Sequence, residues 1–122
     1  MACACSSNNN RMVYACSGAA NTGYLADQVA RRLALQGAAR KSCLSALGAE
    51  LEGFIRSAQA ADLNLVVDGC PTGCGRKIFA RLGLSSTSVV LTELGVEKGK
   101  TLIDEKLIGE ITDRVSQTLS PV

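Results

Sequence analysis

The segment of residues 63–81, which reads LNLVVDGCPTGCGRKIFAR, constrains the fold more than any other part of the chain. It begins with a short apolar run that is β-branched at its end and stops at turn residues, a pattern typical of a parallel strand buried on both faces. A glycine-containing loop follows, and the apolar residues after it predict a helix. Cys70 and Cys74 therefore lie where a strand meets a helix. In open α/β sheets, functional sites are built at that edge.

The composition predicts a globular protein, because 47% of the residues are hydrophobic and 20% are charged. A chain of 122 residues is long enough for one domain with a buried core and too short for two. Residues 1–10 (MACACSSNNN) are small and polar and have no periodic apolar positions, which predicts a flexible N-terminal arm. Residues 11–122 are predicted to form a single α/β domain.

Strand patterns alternate with helix patterns along that domain. Residues 11–16 predict the first strand, residues 39–44 a brief second strand, and residues 87–94 a fourth strand after the one that begins at Leu63. Four successive strand and helix units imply a parallel sheet with right-handed crossovers and helices on its faces. We therefore expect a Rossmann/flavodoxin-like three-layer sandwich with a four-stranded parallel sheet. The pattern does not determine the order of the strands, and we take a flavodoxin-like order of 2-1-3-4 as a hypothesis.

Three helices besides the one after Cys70 follow from apolar periodicity and capping residues. The first is expected to have Asn21 or Thr22 as its N-cap and to end at Gly37, the second to span residues 49–60, and the last to be capped by Asp104. Their apolar faces are expected to be buried. For the second helix these residues are Leu51, Phe54, Ile55 and Ala58, and for the last Leu107, Ile108, Ile111, Val115 and Leu119.

The chain contains six cysteines and no histidine, so a transition-metal site in it must consist of thiolates. Three of them, Cys16, Cys43 and Cys70, are evenly spaced and each follows a predicted strand, which returns them to the same edge of the sheet. Cys74 lies close enough to Cys70 to point at the same place. We expect Cys16, Cys43, Cys70 and Cys74 to converge on one metal ion, with Zn²⁺ as the first choice and an iron–sulfur cluster as the alternative.

Charged neighbours of the cysteines have two interpretations. The basic residues could offset the negative charge of a four-thiolate site, or they could simply form a solvated rim. Asp68 could contact the metal ligands from outside the coordination shell, although an aspartate before a glycine is also common in turns. Cys3 and Cys5 are either spare thiols of the arm or a mobile pair that captures metal. The basic residues concerned are Arg40, Lys41, Arg76 and Lys77.

The motifs CSGAANTG at residues 16–23 and DGCPTGCGRK at residues 68–77, with a lone Cys43 between them, resemble the DGC-domain family, which takes its name from its Asp-Gly-Cys motif. The resemblance covers residues 12–99. It implies zinc binding by four cysteines that match Cys16, Cys43, Cys70 and Cys74, and it implies no particular activity. The matched set does not include Cys3 or Cys5.

A competing interpretation is that of an enzyme. Residues 70–76 satisfy the pattern C-x5-R between a strand and a helix, which looks like the phosphate loop of cysteine-dependent phosphatases and related arsenate reductases. In that case Cys70 would be the nucleophile, Arg76 would hold the oxyanion, and Cys74 would be a resolving thiol. This alternative leaves Cys16 and Cys43 without a role and lacks an Asp-Pro acid loop, so we place it below metal binding, which assigns no catalytic residue. A thiol-disulfide oxidoreductase is a third class, although it would lack the usual C-x2-C pair.

Charge and composition limit the other partners. The net charge is only +2 and the chain has four aromatic residues, so we expect no nucleic acid ligand. No apolar stretch approaches the roughly 20 residues that a bilayer span needs, and residues 1–10 do not resemble a signal peptide. We therefore expect no membrane contact and a cytoplasmic location, with a metal ion as partner and no protein partner assigned.

Overall fold

The computed structural model describes residues 10–119, and within that range the chain forms four β-strands and five α-helices. The strands are β1 (Arg11–Ala15), β2 (Arg40–Lys41), β3 (Leu63–Asp68) and β4 (Thr87–Val90). The helices are α1 (Asn21–Leu35), α2 (Leu44–Gly48), α3 (Glu52–Ala60), α4 (Cys74–Arg81) and α5 (Glu105–Ser116). Short 3₁₀ turns follow β4 at Leu91–Leu94 and α5 at Gln117–Leu119.

All four strands are parallel and lie in the order β2-β1-β3-β4, which confirms the predicted order. Helices α1 and α5 cover one face of the sheet, while α2, α3 and α4 cover the other. The predicted three-layer α/β sandwich is therefore confirmed. The central strands β1 and β3 are buried on both faces, as their continuous apolar sequence indicated.

Each face of the sheet has its own core. On the first face, Leu25 and Leu33 of α1 and Ile111 of α5 are buried together with Val13 and Leu65 of the sheet. Burying a leucine or valine of this kind stabilises the fold by about 1.5–3 kcal/mol. On the second face, the rings of Tyr14 and Phe79 meet edge to face, with centroids 4.9 Å apart and planes at 74°. This aromatic pair lies in the layer between the sheet and α4.

The segment between β2 and β3 differs from the prediction. Instead of one helix over residues 49–60, two short helices are separated by Glu50, whose φ of 61° lies in the left-handed region that interrupts an α-helix. On α3 only Ala58 is buried, whereas Leu51 is 50% exposed and Phe54 is 37% exposed. The expected burial of the apolar face at 49–60 is therefore wrong for Leu51 and Phe54. The reason is that α2 and α4 already cover this part of the sheet.

Smaller differences occur at the ends of elements. Strand β2 ends at Lys41, two residues before Cys43, and β4 gives way to a 3₁₀ turn after Val90. The N-cap of the first helix is Ala20, with no side-chain cap. Asp104 caps α5 as predicted, because its carboxylate accepts a hydrogen bond from the Leu107 amide at 2.9 Å. Of the predicted stripe on the last helix, Ile108, Ile111, Val115 and Leu119 are buried and Leu107 is partly buried.

The predicted arm lies almost wholly outside the described residues, and so do Cys3 and Cys5. Its last residue, Asn10, is tied to the connection between α3 and β3. The Asn10 carbonyl accepts a hydrogen bond from the Asp62 amide at 2.8 Å, and the Asn10 side-chain amide donates to the Ala60 carbonyl at 3.1 Å. Asn10 is therefore fixed to the end of the sheet where β1 and β3 begin.

Candidate thiol site at the carboxyl edge of the sheet

The predicted site residues follow the carboxyl ends of the strands. Cys16 comes directly after β1, and Cys70 follows β3 by two residues. The chain leaves these two adjacent strands in opposite directions, towards β2 and towards β4, so the crevice between them is the topological switch point of the sheet. Ligands of open α/β sheets bind in that crevice.

The loops that carry Cys16 and Cys70 are in direct contact. The Cys16 amide donates to the Val67 carbonyl at 3.1 Å, and the Gly69 amide donates to the Cys16 sulfur at 3.3 Å. A Cβ atom at Gly69 would lie 2.5 Å from the Thr22 carbonyl oxygen at the start of α1. Gly69 is therefore required by the close approach of two backbones, and it fixes the position of Cys16 relative to the loop after β3.

Asp68 holds the start of α4. Its side chain is buried and accepts hydrogen bonds from the amides of Gly75 at 2.7 Å and Arg76 at 3.0 Å. These amides belong to the first turn of the helix, where donors lack partners within the helix and a negative charge is favoured. Asp68 is thus a remote N-cap that fixes Cys74, the first residue of α4.

Glycines complete the loop between Cys70 and α4. Gly73 has a φ of 63°, a left-handed conformation that suits glycine, and it precedes the first residue of the helix. A Cβ atom at Gly75 would lie 2.6 Å from a methyl group of Val66, so α4 can approach β3 only with glycine at that position. The glycines after Asp68 therefore serve the path of the backbone.

The Cys70 thiol has nearby hydrogen-bond donors. The hydroxyl of Thr72, the backbone amide of Thr72 and the ammonium group of Lys98 lower the pKa of Cys70 below its ordinary value. The Lys98 Nζ atom lies 3.4 Å from the Cys70 sulfur. This arrangement favours the thiolate form, which is the nucleophile and the metal ligand.

Lys98 was not predicted from the sequence, and its position depends on Asn21. The Asn21 side chain donates to the carbonyls of Glu97 at 3.1 Å and Thr101 at 2.8 Å, and it accepts from the Gly99 amide at 2.7 Å. Asn21 was expected to be a helix cap, but its amide group instead holds the 97–101 loop beside Cys70. No local pattern signals a contact between residues so far apart in the chain.

Cys43 and Cys74 lie at the starts of two helices on the second face of the sheet. Cys43 is the N-cap residue of α2 and Cys74 is the first residue of α4. Both are exposed, whereas Cys16 and Cys70 are partly buried. All four thiols are free, with no disulfide among them.

Two adjoining clefts bring the four cysteines together. The first, which we call the Phe54 cleft, has a volume of about 520 Å³ and contains Cys16, Cys43 and Cys74. The second, the Lys98 cleft, has a volume of about 380 Å³ and contains Cys16, Cys70 and Cys74. Cys16 and Cys74 line both clefts, so all four thiols border one continuous region of the carboxyl edge.

The four thiols line this region but are not arranged in the geometry of a metal site. Within residues 10–119, no group of three or more histidine, cysteine, aspartate or glutamate side chains is arranged to hold a metal ion. Four basic residues were expected from the sequence to lie near the cysteines. Of these, Lys41 lines the Phe54 cleft, while Arg40, Arg76 and Lys77 are exposed.

Three backbone amides of the C-x5-R segment donate hydrogen bonds within the protein. A phosphate loop needs backbone amides directed at the anion. Here the Gly73 amide donates to the Cys70 carbonyl at 3.1 Å, and the amides of Gly75 and Arg76 donate to Asp68. These three amides are therefore not available to bind an oxyanion, whereas the Thr72 amide lies against the Cys70 thiol.

The helices in the described part of the chain give no indication of a membrane span. None of those between residues 10 and 119 combines the length and the apolar character that crossing a bilayer requires.

These features define an α/β protein of flavodoxin-like topology in which free thiols line the carboxyl edge of the sheet. The sequence profile of the DGC domain matches residues 12–117, so the chain belongs to the DGC domain family. A relative from Pseudomonas aeruginosa, the anaerobic and virulence modulator AnvM, is 35% identical over 88 residues, which cover 71% of this chain and 67% of that protein. No solved structure matches the chain.

Proposed function

We propose that this protein binds Zn²⁺ through the thiolates of Cys16, Cys43, Cys70 and Cys74. The observation that carries the proposal is that two adjoining clefts contain all four cysteines and share Cys16 and Cys74. Four thiols without histidine match the tetrahedral, sulfur-only coordination of closed zinc sites. An iron–sulfur cluster would use the same four ligands, and the same experiment distinguishes the two metals.

Hydrogen bonds and charge near the sulfurs support the proposal. The Gly69 amide donates to the Cys16 sulfur and the Lys98 ammonium group donates to the Cys70 sulfur, and the donors around Cys70 favour its thiolate form. A zinc ion with four thiolates has a net charge of about −2, which the ammonium groups of Lys98 and Lys41 at the clefts would partly offset. Metal ligands of this kind are commonly supported by such outer contacts.

Binding requires the exposed thiols to move. Cys43 and Cys74 have no hydrogen bonds to their sulfurs within the described residues that would oppose a change of rotamer, and both line the Phe54 cleft from the starts of helices. Cys16 and Cys70 form the fixed half of the site. A site completed only on binding can exchange its metal, so we propose metal handling or sensing rather than a purely structural ion.

The relative and the free thiols support this role. AnvM is named as a modulator, which fits a protein that responds to a signal better than one that uses zinc only for stability. We further propose a cytoplasmic location, because thiols persist in the reduced state in that compartment and all four cysteines are free.

A cysteine-dependent phosphatase or arsenate reductase is the second candidate. The lowered pKa of Cys70, caused by Thr72 and Lys98, is the observation that favours it. The amides of Gly75 and Arg76 oppose it, because they already donate to Asp68 and are not available to bind an oxyanion. Activity of the wild type towards aryl phosphate or arsenate that is lost in Arg76→Ala, with the metal content unchanged, would support the enzyme as an activity separate from metal binding.

The test is native mass spectrometry with elemental analysis of protein purified without oxygen. Wild type is compared with four variants that each change one candidate ligand to serine, and with Cys3→Ser and Cys5→Ser as matched controls. We expect one metal centre per chain in the wild type and in both controls, and weakened or absent binding in each of the four variants. Metal-free wild type that cannot be reconstituted, or binding that survives all four substitutions, would refute the proposal.

A further inference from the structure

The Phe54 cleft is larger and more apolar than a metal ion requires. Its volume of about 520 Å³ lies within the range of about 300–1,000 Å³ that is typical of small-molecule sites. Beside the three thiols, its walls include the apolar side chains of Leu44, Phe54 and Ile78. A metal ion alone would not contact these apolar side chains, whereas the apolar body of an organic ligand would pack against them.

Helix α3 places Phe54 at this cleft, whereas its Ile55 and Ala58 belong to the core. Ala58 is the only buried residue of the helix, and Phe54 lines the cleft while 37% of its surface is exposed. Because the fold buries Phe54 only in part, a ligand that covers the exposed remainder of the ring gains the free energy of that burial. The aromatic ring therefore forms an unfilled side of the cleft.

The thiols define the reactive chemistry of the cleft. Cys43 and Cys74 are exposed, free and on its lining, so both can be attacked by or can attack a ligand in it. Two exposed thiols beside an apolar wall are suited to ligands that contain a sulfur–sulfur bond, because thiolates exchange readily with disulfides.

Lys41 provides a positive charge at the same cleft. Its Nζ atom lies 3.7 Å from the Asp27 carboxylate, which Arg31 contacts more closely at 2.7 Å. Asp27 also accepts a hydrogen bond from the Ser17 hydroxyl at 3.1 Å. Because Asp27 has these closer partners, the Lys41 ammonium can be shared with an anionic group of a ligand, and a carboxylate matches it in charge.

We propose that the Phe54 cleft binds small organic disulfides with an apolar body and a carboxylate, and that Cys43 or Cys74 exchanges with them. The protein thiolate attacks one sulfur of the ligand, a bond forms between the two sulfur atoms, and the ligand's own sulfur–sulfur bond breaks. The second half of the ligand leaves as a thiolate with the electron pair and then takes a proton from water. The protein thiol is oxidised to a mixed disulfide, and the released half of the ligand is reduced.

This inference goes beyond metal binding and can fail or succeed separately from it. The metal proposal concerns the stoichiometry of the metal-loaded protein, while the exchange is measured on metal-free protein. A chain that binds no zinc can still show selective exchange, and a zinc protein can lack it. The two share Cys43 and Cys74, so bound metal is expected to protect these thiols from the disulfide.

The experiment uses 5,5′-dithiobis(2-nitrobenzoate), an aromatic disulfide with two carboxylates, on the metal-free full-length chain. The rate of labelling at Cys43 and Cys74 is followed by peptide mass spectrometry over a range of reagent concentrations. Neutral 2-hydroxyethyl disulfide is the matched reagent without an aromatic ring or a charge. We expect labelling by the aromatic reagent to saturate with concentration, which shows that binding precedes exchange, and labelling by the neutral reagent to remain proportional to concentration.

Two variants test the walls of the cleft, and a third serves as a control. Phe54→Ala is expected to slow labelling by the aromatic reagent about fivefold at low concentration and to abolish saturation. Lys41→Gln is expected to slow it about twofold to threefold. The control Leu102→Ala, which changes a residue that is 80% exposed and absent from the cleft lining, should leave the rate unchanged. With the neutral reagent, all variants should match wild type.

Two results would overturn the inference. The first is unsaturable labelling of wild type at the same rate as Phe54→Ala. The second is saturable labelling of Cys43 and Cys74 that both Phe54→Ala and Lys41→Gln leave unchanged.

Discussion

The carboxyl edge of the sheet contains two pairs of cysteines in different surroundings. Cys16 and Cys70 lie on loops that touch through Gly69, are partly buried, and have donors close to their sulfurs. Cys43 and Cys74 lie at the starts of two helices and are exposed. We call Cys16 and Cys70 the fixed pair, because donors lie close to their sulfurs. We call Cys43 and Cys74 the adaptable pair, because their exposed side chains can change rotamer even though Asp68 holds the backbone at Cys74.

The difference has consequences for function. The fixed pair supplies a constant partial site for a soft ligand, and the adaptable pair decides whether that site closes around a metal or reacts with another molecule. Because the two pairs depend on different residues, substitutions can weaken one pair and leave the other intact.

The largest effect is expected from Gly69→Ala, which acts on the fixed pair. The added methyl group would lie 2.5 Å from the Thr22 carbonyl oxygen, so the two loops must separate. We expect a loss of about 3 kcal/mol in the free energy of unfolding, measured by urea denaturation. Gly18→Ala, in the same region but with nothing within 4 Å, is the matched control and should leave stability within about 0.5 kcal/mol. Equal stability of the two variants would refute the proposed contact.

Asp68→Asn is expected to have the next largest effect, and it acts on the position of Cys74. The amide group of asparagine can accept one of the two helix hydrogen bonds but presents its own N–H groups to the other donor. The resulting loss should be about 2 kcal/mol by urea denaturation, because a buried charge-assisted hydrogen bond is replaced by an unpaired donor. The exposed Asp113→Asn on α5 serves as control. An unchanged stability in Asp68→Asn would show that the start of α4 does not depend on the carboxylate.

The smallest effects concern the ionisation of Cys70. Alkylation by iodoacetamide follows the thiolate, so its rate at Cys70 should rise with pH through a midpoint below that of an ordinary thiol. Removing a donor destabilises the thiolate and raises that midpoint. Because the Thr72 hydroxyl makes the largest contribution to the lowered pKa and Lys98 a smaller one, Thr72→Val should raise the midpoint more than Lys98→Gln.

Asn21→Ala tests how Lys98 is positioned. Without the Asn21 side chain the 97–101 loop loses three hydrogen bonds, so Lys98 should leave the Cys70 sulfur and the alkylation midpoint should shift upwards as in Lys98→Gln. In the double variant the two shifts should not add, because both changes remove the same contact. Additive shifts would mean that Asn21 acts on Cys70 by another route.

The sequence predicted the layers because they depend on patterns that are local or follow from chain handedness. The largely apolar segment of residues 63–67 and the helical spacing of Leu25, Val29 and Leu33 each require only neighbouring residues, and right-handed crossovers then place helices on the faces of a parallel sheet. The positions of Cys16 and Cys70 beyond β1 and β3 followed from the same reasoning. The strand order was a hypothesis taken from flavodoxin-like topology, because no local pattern determines which strands are neighbours.

Other features depend on contacts between distant residues, which no local pattern reveals. The amphipathic pattern of residues 49–60 predicts a buried face, but the sheet is already covered by α2 and α4, so Phe54 lies beside the thiols instead. The contact of Lys98 with Cys70 depends on three hydrogen bonds from Asn21 across the fold. Asp68 was expected to take part in a turn or to support a metal ligand, and only the approach of α4 shows that it caps a helix.

Zinc K-edge X-ray absorption of the reconstituted wild type tests the central claim most directly, because it counts the atoms bound to the metal. If the fixed and adaptable pairs close around one ion, the spectrum should fit four sulfur atoms at about 2.3 Å. Three sulfur atoms should remain in Cys43→Ser and in Cys70→Ser, one variant from each pair. A wild-type shell of nitrogen and oxygen atoms, or one that keeps four sulfur atoms in both variants, would contradict a site made of Cys16, Cys43, Cys70 and Cys74.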